Sequence, residues 1–226
     1  MVAHSFSSLK EYSTCPKRYY HKRIARDVVD VPGEASLHGD RVHKALEVRL
    51  GPAREPLPKE MSQYEKLCAS IELAAEGCTL EMEKELCVDQ RLKPCGWRDT
   101  NVYMRSKLDL MGLRGKRGIC VDWKTGKRRP DFKQLSISAA QMFIHYPELE
   151  VITVAFVWLR ENAIDTEVYR RSDLQDMVID FMRDARRVEG SIETGLWPAR
   201  PSGLCSFCPA EAICEHAQPR YRGRRR

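Results

Sequence analysis

The stretch that decides the fold is Ser106-Lys-Leu-Asp109-Leu-Met-Gly-Leu-Arg-Gly115-Lys-Arg-Gly-Ile-Cys-Val-Asp122-Trp-Lys124-Thr-Gly126. Two apolar segments, 102–113 and 118–124, flank a polar turn that contains Gly115. This pattern predicts a β-hairpin. Apolar residues surround the aspartates on both strands, which favours a functional role for these aspartates over an ordinary solvated hairpin face.

The two aspartates and the lysine of this hairpin form the first candidate site. A turn centred on residues 115 and 116 places Asp109 opposite Asp122, and Lys124 shares a face with Asp122 because it follows two residues later. Like charges that face each other destabilise a hairpin unless a positive charge lies between them. Lys124 is one candidate for that charge, and Mg²⁺ or Mn²⁺ is another. The alternative is a solvated hairpin face with ordinary salt bridges.

His43 is a further candidate ligand. It lies within a predicted helix over 34–50, and Gly39 and Glu47 lie four residues to either side, so the three share one face. A neutral imidazole binds catalytic cations well. Glu85 on a predicted strand over 80–88 could add another acid, although Glu81 and Glu83 compete with it on the same strand. The alternative for His43 is an ordinary packing or surface residue.

The rest of the chain alternates between helical and strand patterns. Further helices are predicted over 6–24, 57–78, 133–146 and 173–193, and further strands over 151–159 and 164–169. The apolar, β-branched run over 151–159 is typical of a strand buried on both faces. This order predicts one α/β domain whose sheet carries helices on both faces.

Length, charge and apolar runs limit the setting in which the chain works. The longest apolar run has nine residues, too few for a membrane helix, and the N-terminus carries no apolar secretion signal. We therefore expect a protein of the reducing cytoplasm with no membrane partner. The net charge of +6 comes mostly from five arginines in the tail 217–226. That tail is either solvated or a phosphate-binding segment.

The cysteines form a second candidate site. In a reducing compartment clustered cysteines indicate metal ligands, and Cys205, Cys208 and Cys214 have the spacing of such a set within the Cys-rich segment 197–216. His216 could complete a zinc site. Cys15 could instead complete a four-cysteine site for a 4Fe–4S cluster. Spacing alone does not choose between them. The other cysteines are interpreted as buried apolar residues, namely Cys68, Cys78, Cys87, Cys95 and Cys120.

These motifs together resemble the RecB-like branch of the PD-(D/E)XK nuclease superfamily. The matching residues are Gly39-x-x-x-His43-x-x-Leu46-Glu47, then Asp109, then Val121-Asp122-Trp123-Lys124-Thr125-Gly126. Cys15-Pro16-x-x-Tyr19 and the C-terminal cysteines are similar to the iron–sulfur subgroup, which includes CRISPR-associated exonucleases and their bacteriophage relatives. Gln134-Leu135 fits the start of the family's Gln-Leu-x-x-Tyr helix, but Ser138 stands where tyrosine is expected. Gln141 and Tyr146 are the alternatives for that tyrosine.

The resemblance implies a restriction-endonuclease-like core over 1–226, with a central mixed sheet flanked by helices and an iron–sulfur region clamped by cysteines. It implies a Mg²⁺- or Mn²⁺-dependent DNA exonuclease that acts on single-stranded ends in repair, recombination, phage DNA metabolism or CRISPR adaptation. CRISPR integrase or recombination proteins are the implied partners. Three sets of residues follow: catalytic Asp109, Asp122 and Lys124; metal-binding His43, Asp109, Asp122 and Trp123; and cluster-binding Cys15, Cys205, Cys208 and Cys214.

The predicted DNA contacts come from basic, aromatic and amide side chains near these motifs: Arg18, Tyr19, Lys127, Arg128 and Gln134. Two other functions are consistent with the residues. One is a non-catalytic nucleic-acid-binding module with a structural Cys3His zinc site. The other is a recruitment subunit of a nuclease or integrase complex.

Overall fold

The computed structural model of the protein describes residues 2–217. The helices are α1 (Phe6–Thr14), α2 (Pro16–Tyr19), α3 (Glu34–Leu50), α4 (Glu65–Ala74), α5 (Lys133–His145) and α6 (Leu174–Thr194). The strands are β1 (Thr79–Val88), β2 (Met104–Arg114), β3 (Arg117–Lys124), β4 (Val151–Trp158) and β5 (Ala163–Arg170). Of the predicted basic tail, the part over 218–226 lies outside the described residues.

One mixed sheet organises the strands in the order β1-β2-β3-β4-β5, with β3 and β4 parallel and the other neighbours antiparallel. The predicted hairpin is confirmed, since Leu110 pairs with Val121 and Arg114 with Arg117. The ladder ends at Leu110 and Val121, one residue before the expected pairing of Asp109 with Asp122. The two strands therefore separate where the candidate site begins.

Both faces of the sheet are covered by helices, as the α/β pattern predicts. On one face, Leu135 and Phe143 of α5 pack with Val154 of β4. On the other, Val42 and Leu46 of α3 join α4 residues and Val157 of β4. Strand β4 is therefore buried on both faces, which explains its continuous apolar run. This is an α/β fold consistent with a restriction-endonuclease-like core.

Two of the predicted helices differ from the structure. The predicted helix over 6–24 is interrupted at Cys15, whose backbone is extended at φ −159° and ψ 107°. Pro16 explains the break, because proline disfavours helical backbone in the residue before it. The chain then continues through α2 into a π-helical turn, Tyr20–Ala25. The predicted helix over 57–78 begins only at Glu65, after a 3₁₀ turn that follows Pro58.

The chain divides into two compact units. Among the described residues, one contains residues 2–4 together with Glu34–Asp180, and so holds the whole sheet. The other contains Ser5–Gly33 and residues 181–217. The single nuclease domain over 1–226 stays a prediction. Within the described residues, no helix combines the length and apolarity needed to cross a membrane.

Gly112 lies at a tight point of the sheet and gives a test of its packing. A Cβ at Gly112 would lie 2.6 Å from Ile119 Cγ1 and 2.9 Å from Leu80 Cδ2 on the two neighbouring strands. We expect Gly112→Ala to lower the free energy of unfolding by about 1–3 kcal/mol, because the added methyl overpacks the core. Urea denaturation followed by circular dichroism measures this. Gly126→Ala is the control, since no atom lies within 4 Å of its added Cβ. Equal midpoints for the two variants would contradict the packing argument.

Candidate active site and cysteine site

Three ligand-type side chains meet beside β2. His43 of α3, Glu83 of β1 and Asp109 of β2 each offer an atom, and these atoms all lie within 4.8 Å of one another. His43 Nδ1 lies 3.4 Å from Asp109 Oδ1. The group lines a cavity of about 570 Å³ that Gly39, Glu47 and Thr125 also line. One imidazole and two carboxylates at this spacing form a donor set for a divalent cation.

Glu83 is a candidate ligand that the sequence alone does not single out. Its strand also carries Glu81 and Glu85, and the sequence interpretation favoured Glu85. The structure shows the backbone of Glu83 in the left-handed region, at φ 53°. This conformation is uncommon and costly for a side chain other than glycine or asparagine, and such residues concentrate at functional sites. It interrupts the regular strand at the point where β1 passes Asp109. No strand periodicity reveals such a distortion.

Asp109 is held where β2 and β3 separate. Its Oδ2 accepts a hydrogen bond from the backbone N–H of Trp123 at 2.8 Å, just beyond the last ladder pair. A side chain thus replaces the strand as the partner of that backbone group. The second oxygen of Asp109 is the one that faces His43. The two oxygens of the Asp109 carboxylate therefore contact different groups, one the backbone of Trp123 and the other the imidazole of His43.

Asp122 and Lys124 form a closed set of contacts with Gln134 of α5. Lys124 Nζ lies 2.7 Å from Asp122 Oδ2 and donates to Gln134 Oε1 at 3.0 Å. Gln134 Nε2 donates in turn to Asp122 Oδ1 at 2.5 Å. Gln134, for which the sequence predicts a DNA contact, contacts the two charged residues of the site. Its amide orients both, because it donates to one and accepts from the other. Its DNA contact stays a prediction.

The electrostatics of the site favour a bound cation. Burial and the nearby charge of Asp109 raise the pKa of Asp122 to about 6, although Lys124 acts in the opposite direction. The hydrogen bond to Asp109 raises the pKa of His43. Both shifts mean that the site attracts protons, as expected where negative charge accumulates away from water. A cation supplies the same compensation with more charge.

The predicted DNA-contact residues are mostly engaged elsewhere in the protein. Tyr19 is completely buried and stacks on Trp197 at 6.0 Å between ring centroids, so its ring has no surface to offer a base. The guanidinium of Arg128 is ion-paired with Asp165, to which its Nε donates at 2.8 Å. Arg18 lies 3.3 Å from the nearest Glu11 oxygen. Of the set that the sequence predicts, Lys127 and Arg128 are exposed.

The structure places the two alternatives for the expected tyrosine in different surroundings, and their role stays a prediction. Gln141 is completely buried, and neither polar atom of its amide has a hydrogen-bond partner. Tyr146 lies beside Lys84, whose pKa is raised chiefly by Glu81 and in part by Tyr146. Ser138 donates to the carbonyl of Gln134 within the helix at 3.4 Å.

The four predicted cluster ligands converge in the second unit. Cys15, Cys205, Cys208 and Cys214 line one cavity, which His216 also lines. Backbone N–H groups are directed at two of the sulfurs, Arg200 N to Cys15 at 3.4 Å and Ser202 N to Cys205 at 3.3 Å. Burial raises the pKa of the Cys208 thiol, against a hydrogen bond from the Ala210 backbone. The cysteines are not paired in disulfides. N–H groups directed at sulfur fit metal-bound thiolates.

The remaining cysteines agree only in part with their interpretation as core residues. Cys68, Cys87 and Cys120 are buried. Cys78 and Cys95 are only partly buried, since each lies in or beside a turn rather than on an inward-facing strand position.

Comparisons with known proteins identify the family. The chain matches the PD-(D/E)XK nuclease superfamily over residues 3–215, and it belongs to this superfamily. A solved structure from Eubacterium rectale named "Putative exonuclease" aligns over 99% of this chain and 88% of its own, with 14% identity and a TM-score of 0.52. Another, SSO0001, aligns over 93% and 86%, with 15% identity and a TM-score of 0.47. At such identities the likeness shows the fold alone. No curated protein matches the chain significantly in sequence.

The raised pKa of Asp122 predicts how stability depends on pH. Its pKa rises on folding from an ordinary value near 3.8 to about 6, so the native state binds more protons between these values. In metal-free buffer, the unfolding free energy of the wild type minus that of Asp122→Asn should therefore fall as pH rises from 4 to 7. The fall is at most about 3 kcal/mol. Urea denaturation at a series of pH values in EDTA measures it.

Asp165→Asn provides a control of opposite sign. Hydrogen bonding to Arg128 lowers the pKa of Asp165, so the matching difference for this variant should rise with pH. A difference for Asp122→Asn that stays constant between pH 4 and 7 would contradict the prediction.

Proposed function

We propose that the protein is a divalent-metal-dependent deoxyribonuclease of the RecB-like branch, acting as an exonuclease on single-stranded DNA ends. The observation that carries the proposal is the meeting of His43, Glu83 and Asp109 in one cavity. The Asp122–Lys124 pair on β3 adds the charged groups expected beside such a site. Membership of the nuclease superfamily supports the hydrolytic chemistry. The name of the E. rectale neighbour supports exonuclease action.

The metal would be held by His43, Glu83, Asp109 and Asp122, with the Trp123 carbonyl as a further ligand. When bound, Mg²⁺ or Mn²⁺ supplies Lewis acidity and lowers the pKa of a ligated water. The donor set fits, because carboxylate oxygens with one imidazole suit these cations and the crowded negative charge needs compensation. Glu83 enters this set on its geometry, in place of Glu85.

The residues of the chain supply orientation and charge. Lys124 is fixed by two contacts, and its ammonium carries donors that suit an attacking water or a phosphate oxygen. Gln134 holds the side chains of Lys124 and Asp122 in position through the two hydrogen bonds of its amide. Hydrolysis then proceeds by in-line attack of water on the phosphodiester, without a covalent intermediate on the protein.

The cellular setting belongs to the same proposal. We place the protein in the cytoplasm, in repair or recombination, phage DNA metabolism or CRISPR adaptation, with integrase or recombination proteins as partners. The number of cysteines without disulfides supports a reducing compartment.

Substitution of the charged pair tests the nuclease activity. We expect Asp122→Asn and Lys124→Ala each to reduce Mn²⁺-dependent cleavage roughly 100-fold or more, since each removes a group from the reacting region. The assay follows 5′- and 3′-labelled single strands and a circular single strand in parallel. Loss of label from linear strands, with the circle intact, supports an exonuclease.

Within this assay, Glu83→Gln and Glu81→Gln form a matched pair on one strand. Glu81 does not line the site cavity and pairs with Lys84 at 2.5 Å. Glu83→Gln should raise the Mn²⁺ concentration for half-maximal cleavage about tenfold, and Glu81→Gln should not. Undiminished cleavage by Asp122→Asn would refute the nuclease assignment.

We also propose that Cys15, Cys205, Cys208 and Cys214 hold a 4Fe–4S cluster. Their shared cavity and the backbone N–H groups aimed at sulfur support it. When bound, the cluster would link the two ends of the chain, because Cys15 and Cys205 enclose about 190 residues. His216 lines the same cavity, which keeps a Cys3His zinc site as the rival.

Anaerobic purification separates the two metals. We expect a brown protein with about four iron atoms and four sulfides per chain, and loss of both in Cys15→Ser and Cys208→Ser. Cys95→Ser and His216→Ala should keep the colour. Colourless protein that contains zinc and loses it in His216→Ala would establish the rival site.

A further inference from the structure

Strand β2 presents a row of polar side chains that leads away from the candidate metal site. Arg105, Lys107 and Asp109 alternate with the buried Met104 and Leu108, so the three share one face of the strand. Lys107 and Asp109 both line the metal-site cavity. Arg105 lies four residues from Asp109, which corresponds to about 13 Å along a strand.

Beyond this row, an indole ring lies against Arg105. Trp97 belongs to the segment between β1 and β2, and the guanidinium carbon of Arg105 lies 5.2 Å from its ring centroid. This is a cation–π contact that orients both groups. The same two side chains line an open cavity of about 700 Å³, together with Arg98 and Asp99. Trp97 is only partly buried, so part of its ring is exposed to solvent.

The charge of this cavity favours an anion. Neither Arg98 nor Arg105 forms an ion pair with a carboxylate among the described residues. The one carboxylate in the lining, that of Asp99, accepts a hydrogen bond from the backbone of Gly96 at 2.7 Å. Lys107, by contrast, is paired with Glu83. The uncompensated positive charge therefore lies at the Trp97 end of the row.

Backbone hydrogen bonds to the end of β1 hold the segment that carries Trp97 in place. Cys95 N–H donates to Cys87 O at 3.1 Å, and Tyr103 N–H donates to Val88 O at 2.9 Å. Asp89 Oδ1 accepts from the backbone of Arg91 and Lys93. Because these hydrogen bonds restrain the segment, its aromatic ring offers a stacking surface that loses little conformational entropy on binding.

We propose that Trp97 and Arg105 form a subsite for single-stranded nucleic acid, in which a base stacks on the indole and a phosphate contacts Arg105. Base stacking on aromatic rings and backbone contact with arginine are the general means of binding single strands. The strand then follows β2 past Lys107 to the cavity of His43, Glu83 and Asp109. The subsite rests on the proposed nuclease function, since it names where that substrate is held outside the reacting region.

Binding without cleavage tests the subsite directly. The parent is the full-length Asp122→Asn protein in EDTA, and the probes are a fluorescein-labelled dT20 and an abasic strand of the same length, measured by anisotropy. Adding Trp97→Ala should weaken dT20 binding about tenfold and leave the abasic strand unchanged, because only dT20 offers a base to stack. Trp97→Phe should retain most of the affinity.

Arginine variants test the phosphate contact. Arg105→Ala should weaken the binding of both DNA strands, dT20 and the abasic strand. It should also lower the salt dependence of binding by about one released counterion. Arg91→Ala is the matched control, since it removes an exposed arginine from the same segment outside the cavity. Circular dichroism and thermal melting establish that each variant folds.

The outcomes separate the subsite from the nuclease assignment. Equal losses on dT20 and the abasic strand, or no loss in a folded Trp97→Ala protein, would overturn the stacking role. If the wild type cleaves DNA while Trp97→Ala binds normally, the subsite fails alone. If the wild type cleaves nothing but dT20 binding depends on Trp97, the subsite stands and the nuclease assignment fails.

Discussion

The accumulation of negative charge between β2 and β3 is the constraint on which the rest of the site depends. Asp109 and Asp122 lie on strands that stop pairing immediately before they would face each other. Burial keeps water from screening the two carboxylates. The pKa of Asp122 is raised because its charged form is disfavoured in these surroundings. Three neighbouring elements contribute compensating groups, whereas β1 adds the carboxylate of Glu83. Helix α3 supplies an imidazole, β3 an ammonium and α5 an amide that orients it.

The hairpin and the helix positions follow from the sequence because they depend on local patterns. The turn at Gly115 sets the register of β2 and β3. The breaks at Pro32-Gly33 and Gly51-Pro52 give α3 its bounds of Glu34–Leu50. Where local and tertiary effects compete, the sequence is less informative. Pro16 breaks a helix whose apolar spacing continues through it, since a steric rule at one residue overrides periodicity.

The residues that make up the site are harder to predict from the sequence than its position in the fold. Asp109, Asp122, Lys124 and His43 stand in recognisable spacing, whereas Glu83 reaches them only through a left-handed backbone that no alternation pattern contains. Gln134 was recognised as a site residue, but its contacts with Asp122 and Lys124 require knowing how α5 lies on the sheet. The burial of Tyr19 likewise depends on Trp197, a residue distant in sequence. Side-chain roles thus depend on long-range packing, which residue spacing does not encode.

The unfavourable features of the site argue that it binds a cation rather than serving stability. A glutamate in left-handed conformation and a carboxylate whose pKa is raised by burial each carry a cost in the folded protein. A stability role would favour replacing such groups by apolar residues, since buried charge is rarely the most stable solution. A divalent cation would offset the second of these costs, because it would supply positive charge beside the carboxylates of Asp109 and Asp122.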